Sequence, residues 1–220
     1  MFENLKVILH KIKTEKTAKI AVKGNLDSDN IKSVIIALHG YGQLAEYFIR
    51  NFNFLDENNF IVIVPEALNR FYLNGFSGNV GASWMTKLER EDEIENQTTY
   101  LNNIVQLYKN ENWFGAAQKF VLGFSQGSAA AIRWLINTNF SPNKIILWGG
   151  AIPKDADFDK VKALSEKSDI NICIGTKDEF ISEENVNEIK TLLSERKIKY
   201  NLIVYEGEHK IYKNVLEQIL

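Results

Sequence analysis

The chain has few of the residues that staple, cluster or anchor a protein. A single cysteine, Cys173, stands among 220 residues, so no disulfide can form within the chain and no cysteine cluster offers a structural zinc site. The three histidines, His10, His39 and His209, lie far apart, and no HExxH pairing occurs. No apolar run approaches the ~20 residues needed to cross a bilayer. The N-terminal MFENLKVILHKIK is punctuated by charge where a signal peptide would carry an apolar core. Neither sign of charge is in excess. Lys and Arg number 26 against 28 Asp and Glu, a formal charge of −2, which gives no electrostatic basis for binding nucleic acid or an anionic membrane surface. There is no repeat, no low-complexity tract and no linker rich in Pro, Gly or Ser. The expectation is one soluble, cytoplasmic domain over residues 1–220, with no nucleic-acid partner and no stable membrane insertion. Homodimer formation is left open.

What is present is ordinary for a globular domain: 45% hydrophobic and 25% charged residues. A chain of this length buries about 70% of its unfolded surface, enough for a full core without staples. Two candidate strands lead, Leu5–Lys11 and Ala18–Lys23, followed by turn chemistry in GNLDSDN, residues 24–30. Short apolar runs then recur at Val34–Leu38, Phe60–Val64, Phe120–Leu122, Ile145–Trp148, Ile170–Ile174 and Asn201–Tyr205. Continuous runs of this kind suit strands buried on both faces. Between them the spacing predicts helices over Asp92–Lys109, Ser125–Ile136, Glu183–Arg196 and Ile211–Leu220. Strands alternating with helices imply βαβ units: an α/β fold of three layers, its sheet mostly parallel, with the two leading strands as an antiparallel edge. Glu66–Glu91 fits neither period. It is long, aromatic and glycine-rich, and long irregular segments in compact domains are often functional.

The strongest local signal is Gly123-Phe124-Ser125-Gln126-Gly127, a G-x-S-x-G that follows an apolar run and opens the helical stretch SAAAIRWLI. Strand, turn and helix in that order form the context of a nucleophile elbow. Glycines flank the serine because side chains there would collide across the turn. Ser128, Ala129, Ala130 and Ala131 let the helix pack close to the sheet.

A serine hydroxyl needs a base, and at an elbow of this kind the chain order is serine, acid, histidine. His209 is the one histidine after Ser125, in a short loop following Asn201–Tyr205. The acid must orient the imidazole and stabilise its cation. Asp178 follows Ile170–Ile174, which puts it at the same sheet edge as Ser125 and His209. Asp169 precedes that strand and belongs at the opposite edge. Asp155, Asp157 and Asp159 read as a solvated helix start. Glu179, next to Asp178, is the fallback. An oxyanion hole needs two backbone donors. One belongs to the residue after the nucleophile, Gln126, and the other to the loop after the first central strand, His39-Gly40-Tyr41-Gly42. His39 itself reads as a buried residue bonding loop backbone. Phe71, Tyr72, Phe76, Trp84 and Phe180 are candidates to line an apolar acyl pocket, and Cys173 is a small buried residue without a catalytic role.

With these residues in place the chain resembles the small carboxylesterase and acyl-protein thioesterase family of α/β-hydrolases. The matching pieces are Leu38-His39-Gly40-Tyr41-Gly42, Gly123-Phe124-Ser125-Gln126-Gly127, Gly175-Thr176-Lys177-Asp178 and His209-Lys210-Ile211. Gly81-Ala82-Ser83-Trp84 resembles the family's aromatic segment beside the acyl pocket, and Trp148-Gly149-Gly150 its small-residue turn after the sixth strand. The resemblance implies an α/β-hydrolase fold and a serine hydrolase acting on a small-molecule ester or thioester, with no metal or organic cofactor. It carries over Ser125, Asp178 and His209 as triad, and Tyr41 and Gln126 as backbone donors. One departure is Gln43, where many relatives have Asp. Rival readings are a catalytically silent α/β-hydrolase acting as a binding or scaffold protein, and a lysophospholipase or peptidase with the same triad.

Overall fold

The computed structural model describes residues 7–220. Its main sheet has the strand order β1-β3-β2-β6-β7-β8-β9. These strands are β1 (Ile20–Lys23), β2 (Ser33–Leu38), β3 (Phe60–Pro65), β6 (Gln118–Phe124), β7 (Lys144–Trp148), β8 (Asp169–Gly175) and β9 (Asn201–Tyr205). Only β1 runs antiparallel, against β3; every other pairing in this sheet is parallel. Each apolar run from residue 34 onward lies in one of these strands.

Alternation along the strands makes two cores. Val34, Ile36, Leu38, Ile61 and Ile63 face one side. There they pack with Leu101 and Ile104 of α2 (Arg90–Tyr108), Trp134 of α4 (Gln126–Leu135), Val161 of α5 (Phe158–Ser165) and Leu193 of α6 (Glu183–Glu195). Ile35, Ala37, Val62 and Val64 face the other side, under Phe48 of α1 (Ala45–Phe48), Phe52 and Leu216 of α7 (Lys213–Leu216). Both faces of the sheet are thus dry, as the uninterrupted apolar runs require. A short helix α3 (Asn112–Ala116) precedes β6.

Three expectations are corrected. Of the strand Leu5–Lys11, Leu5 and Lys6 lie outside the described residues, and Val7–Lys11 form no strand. Val7 and Leu9 are exposed, and the segment is tied to α2 by ion pairs from Lys11 to Glu89 and Asp92 and from Lys13 to Glu95. The antiparallel edge is therefore one strand. The helix Ile211–Leu220 shrinks to Lys213–Leu216. The aperiodic Glu66–Glu91 contains a separate hairpin, β4 (Asn69–Tyr72) with β5 (Val80–Ser83), antiparallel.

Chain order positions the site. From β2 the chain steps outward to β3 and later returns to β6, on β2's other side. The carboxyl ends of β2 and β6 therefore flank a point where the winding reverses, the place where open α/β sheets leave a crevice.

Candidate active site

Ser125 sits between the last residue of β6 and the first of α4 at φ 54°, ψ −117°. A non-glycine residue there costs on the order of 1–3 kcal/mol and persists only when its surroundings hold it. The surroundings do. Ser125 N–H donates to Trp148 O (2.8 Å), Ser128 N–H donates to Ser125 O (3.0 Å), and Ser128 Oγ–H donates to Gly123 O (2.8 Å). A Cβ on Gly123 would run into the backbone of Gly127 and Ser128. One on Gly127 would run into the carbonyls of Leu38 and His39. The second glycine thus clears the end of β2 rather than the first glycine. Ser125 is partly exposed, at the N-terminus of a ten-residue helix whose dipole favours negative charge beside it.

Asp178 and His209 meet. His209 Nδ1 lies 2.7 Å from Asp178 Oδ2, and the Asp178 side chain is fully buried. A carboxylate can only accept, so Nδ1 carries the proton and Nε2 offers a lone pair. Asp178 Oδ1 accepts the Phe180 N–H at 2.9 Å. The acid and base loops are zipped together: Thr176 N–H donates to Tyr205 O and Lys177 N–H to Gly207 O. The imidazole lies between two aromatic rings, Phe124 at 4.9 Å and Phe180 edge-on at 4.7 Å between centroids. Phe124 immediately precedes Ser125, so the base is packed against the elbow itself. Below it, a Cβ on Gly149 would stand 2.8 Å from His209 Cε1.

The loop after β2 is held by its own side chains. His39 is fully buried; its Nδ1–H donates to Gly40 O (2.7 Å) and its Nε2 accepts the Ala67 N–H (3.0 Å). Burial pushes its pKa below the ordinary 6.5, against the weaker pull of the Gly40 carbonyl and Glu66. His39 is therefore a neutral structural residue, as its sequence position suggested. Gly40 N–H donates to Gln43 Oε1 (2.8 Å) and Gly42 N–H to Ala82 O (2.8 Å). Between them the Tyr41 N–H has no protein acceptor among the described residues, nor has the Gln126 N–H at the start of α4. Gln43, the departure noted above, thus acts as the acceptor that closes this turn.

The chain matches the phospholipase/carboxylesterase family over residues 25–220. It belongs to that family. It is a hydrolase with the α/β-hydrolase fold. Among solved structures it is similar to esterase PE8, at 19% identity over 93% of this chain and 96% of that one, TM-score 0.67. It is also similar to Zea mays acyl-protein thioesterase 2, at 17% identity over 92% and 96%, TM-score 0.67. A third similar structure is a Bacillus cereus carboxylesterase, at 17% over 92% and 91%, TM-score 0.61. No curated protein matches the sequence. Among the described residues no helix is long and apolar enough to cross a membrane.

Against this background the pocket candidates divide. Phe180 is exposed and touches His209. Phe71 reaches the site through Tyr41, the rings 4.9 Å apart. Phe76 is 98% exposed at the hairpin tip, and Tyr72 is exposed nearby. Trp84 is 1% exposed, its indole N–H donating to His39 O at 2.8 Å. None of the five lines the groove of about 540 Å³ beside the loop, which Gly42, Gln43, Tyr47, Phe48, Leu73 and Val80 help to form. Cys173 is buried, and burial pushes its thiol up to about 12, which leaves it protonated and unreactive. Sequence reasoning missed the groove and the polar braces of Gln43 and Gln126. Gln43 bonds within its own turn, to Gly40, whereas the partners of the Gln126 carboxamide, Ser83, Trp84 and Met85, are distant in sequence.

Proposed function

We propose that the protein hydrolyses carboxylic esters or thioesters through an acyl-enzyme on Ser125, with His209 as base, Asp178 as its orienting acid, and the Tyr41 and Gln126 N–H groups as oxyanion donors. The observation that carries this reading is the Asp178–His209 hydrogen bond, with the imidazole packed on Phe124 beside a serine in elbow conformation. His209 Nε2 takes the Ser125 proton as Oγ bonds to the acyl carbon. The carbonyl π electrons move to oxygen, which the two backbone donors receive. Collapse expels the alcohol or thiol with the proton from His209. Water then repeats the two steps and releases the acid. The groove beside Tyr41 offers room for one arm of the substrate.

The test is Ser125→Ala on p-nitrophenyl acetate, with fluorophosphonate labelling alongside. The rate falls by about 10⁴-fold or more, label incorporation disappears, and the melting temperature is retained. A Ser125→Ala protein with the wild-type rate overturns the reading. A panel of p-nitrophenyl esters and acyl thioesters then reads chain length and the ester-to-thioester preference.

A further inference from the structure

The two oxyanion donors sit on separate segments, Gln126 at the start of α4 and Tyr41 in the loop after β2. Strand β5 bridges them. On the loop side, Gly42 N–H donates to Ala82 O (2.8 Å) and Ala82 N–H to Gln43 O (3.3 Å). On the helix side, the Gln126 carboxamide grips the end of the strand: Oε1 accepts the Trp84 N–H (3.0 Å), while Nε2 donates to Met85 O (3.0 Å) and Ser83 Oγ (3.1 Å). The orientation of the amide is dictated. Turned over, it would set NH₂ against an N–H and a carbonyl against a carbonyl. The Trp84 indole closes the ring by donating to His39 O, at the root of the loop. Gly81 lies so close to Gly42 that a Cβ there would meet its backbone, so the strand and loop have no slack.

We propose that the Gln126 carboxamide and the Trp84 indole are positioning residues that hold the two oxyanion donors at their working separation through β5. This rests on the serine-hydrolase reading above. Preorganised donors stabilise charge that appears only in the transition state, so loosening them lowers kcat and leaves KM little changed. The Gln126 backbone N–H survives in every variant, which separates the side chain's role from that of the donor.

The experiment is steady-state kinetics of Gln126→Ala, Gln126→Glu and Trp84→Phe on p-nitrophenyl acetate across about pH 5.5 to 8. Gln126→Ala loses about 10- to 100-fold in kcat, the scale of a sub-ångström to ångström misplacement. Trp84→Phe, which keeps the ring and removes the donor, also loses kcat. A protonated Glu can both accept from Trp84 N–H and donate to Met85 O. The Gln126→Glu rate relative to wild type therefore rises as pH falls, while the Gln126→Ala ratio stays flat. The Gln126→Ala ratio is the control for pH effects common to all the enzymes. Wild-type kcat in Gln126→Ala, an effect confined to KM, or a flat Gln126→Glu ratio overturns the proposal. If Ser125→Ala is inactive in the same assay and Gln126→Ala is fully active, only this inference fails; if Ser125→Ala is active, the parent reading fails.

Discussion

Gly149 shows how little room the base has. It adopts φ 57°, and an added Cβ would lie 2.8 Å from His209 Cε1, 2.9 Å from Nδ1 and 3.5 Å from Asp178 Oδ2. These atoms are not the far end of a flexible chain, because the imidazole is already confined by Phe124, Phe180 and its bond to Asp178. Gly149→Ala must displace the ring or strain the turn. The expected result is a loss of kcat of about 100-fold, the cost of an ångström of misplacement, with a stability loss of about 1–2 kcal/mol from the left-handed backbone. Kinetics and a urea titration check both; an unchanged kcat would mean that the ring has space the geometry denies it. Ser125, His209 and Asp178 were legible as candidates because each follows an apolar run, and because one histidine alone comes after the serine. Gly149 was visible only as part of a small-residue turn. Its contact with the imidazole exists because β7, β8 and β9 lie side by side, which no local pattern encodes.

At the scale of elements, the parallel strands announced themselves as dry apolar runs, but their ends did not. The run Phe120–Leu122 extends to Gln118–Phe124 because β6 pairs with β2 from Ser33↔Gln118 to Leu38↔Gly123. That pairing carries polar and glycine residues that have no strand signal of their own. The hairpin β4–β5 stayed hidden for a related reason: its strands are four residues each and partly polar, and β5 is fixed by backbone bonds to the loop and by Gln126. The loop after β9 is held from beneath. The Trp148 indole donates to Tyr205 OH (2.7 Å) and Lys210 O (3.0 Å), Tyr205 O–H donates to Lys210 O (3.3 Å), and Tyr212 OH accepts the Glu208 N–H (2.9 Å). Burial pushes the Tyr205 phenol well above its ordinary range, so it remains a donor at any working pH. Tyr205→Phe removes that donor and leaves the indole to hold Lys210 alone. Stability falls by about 1 kcal/mol and kcat falls severalfold at unchanged KM, as His209 loses part of its support. Equilibrium unfolding with parallel kinetics checks this; a stability loss with unaltered kcat would confine the brace to the fold.

For the whole molecule, acid sensitivity has a located source besides the carboxylates. His39 joins the end of β2 to the segment after β3 through Ala67, and it does so only when neutral, because Nε2 must accept. Its folded pKa lies below the ordinary 6.5 because burial disfavours the cation. Above about pH 6.5 both states hold a neutral imidazole and the stability is complete. As pH falls below that value the unfolded chain binds the proton first, so stability is lost progressively until the depressed folded value is reached. One proton sets a limiting slope of about 1.4 kcal/mol per pH unit. Carboxylates titrate in wild type and variant alike, so the difference between them isolates the imidazole. His39→Gln is less stable than wild type near pH 7.5, where the native bonds are intact, and the gap narrows as the pH is lowered toward about 5.5. Urea midpoints of both proteins across that range measure it. A gap that stays constant with pH would remove His39 as a source of acid sensitivity, leaving its two hydrogen bonds as a pH-independent contribution.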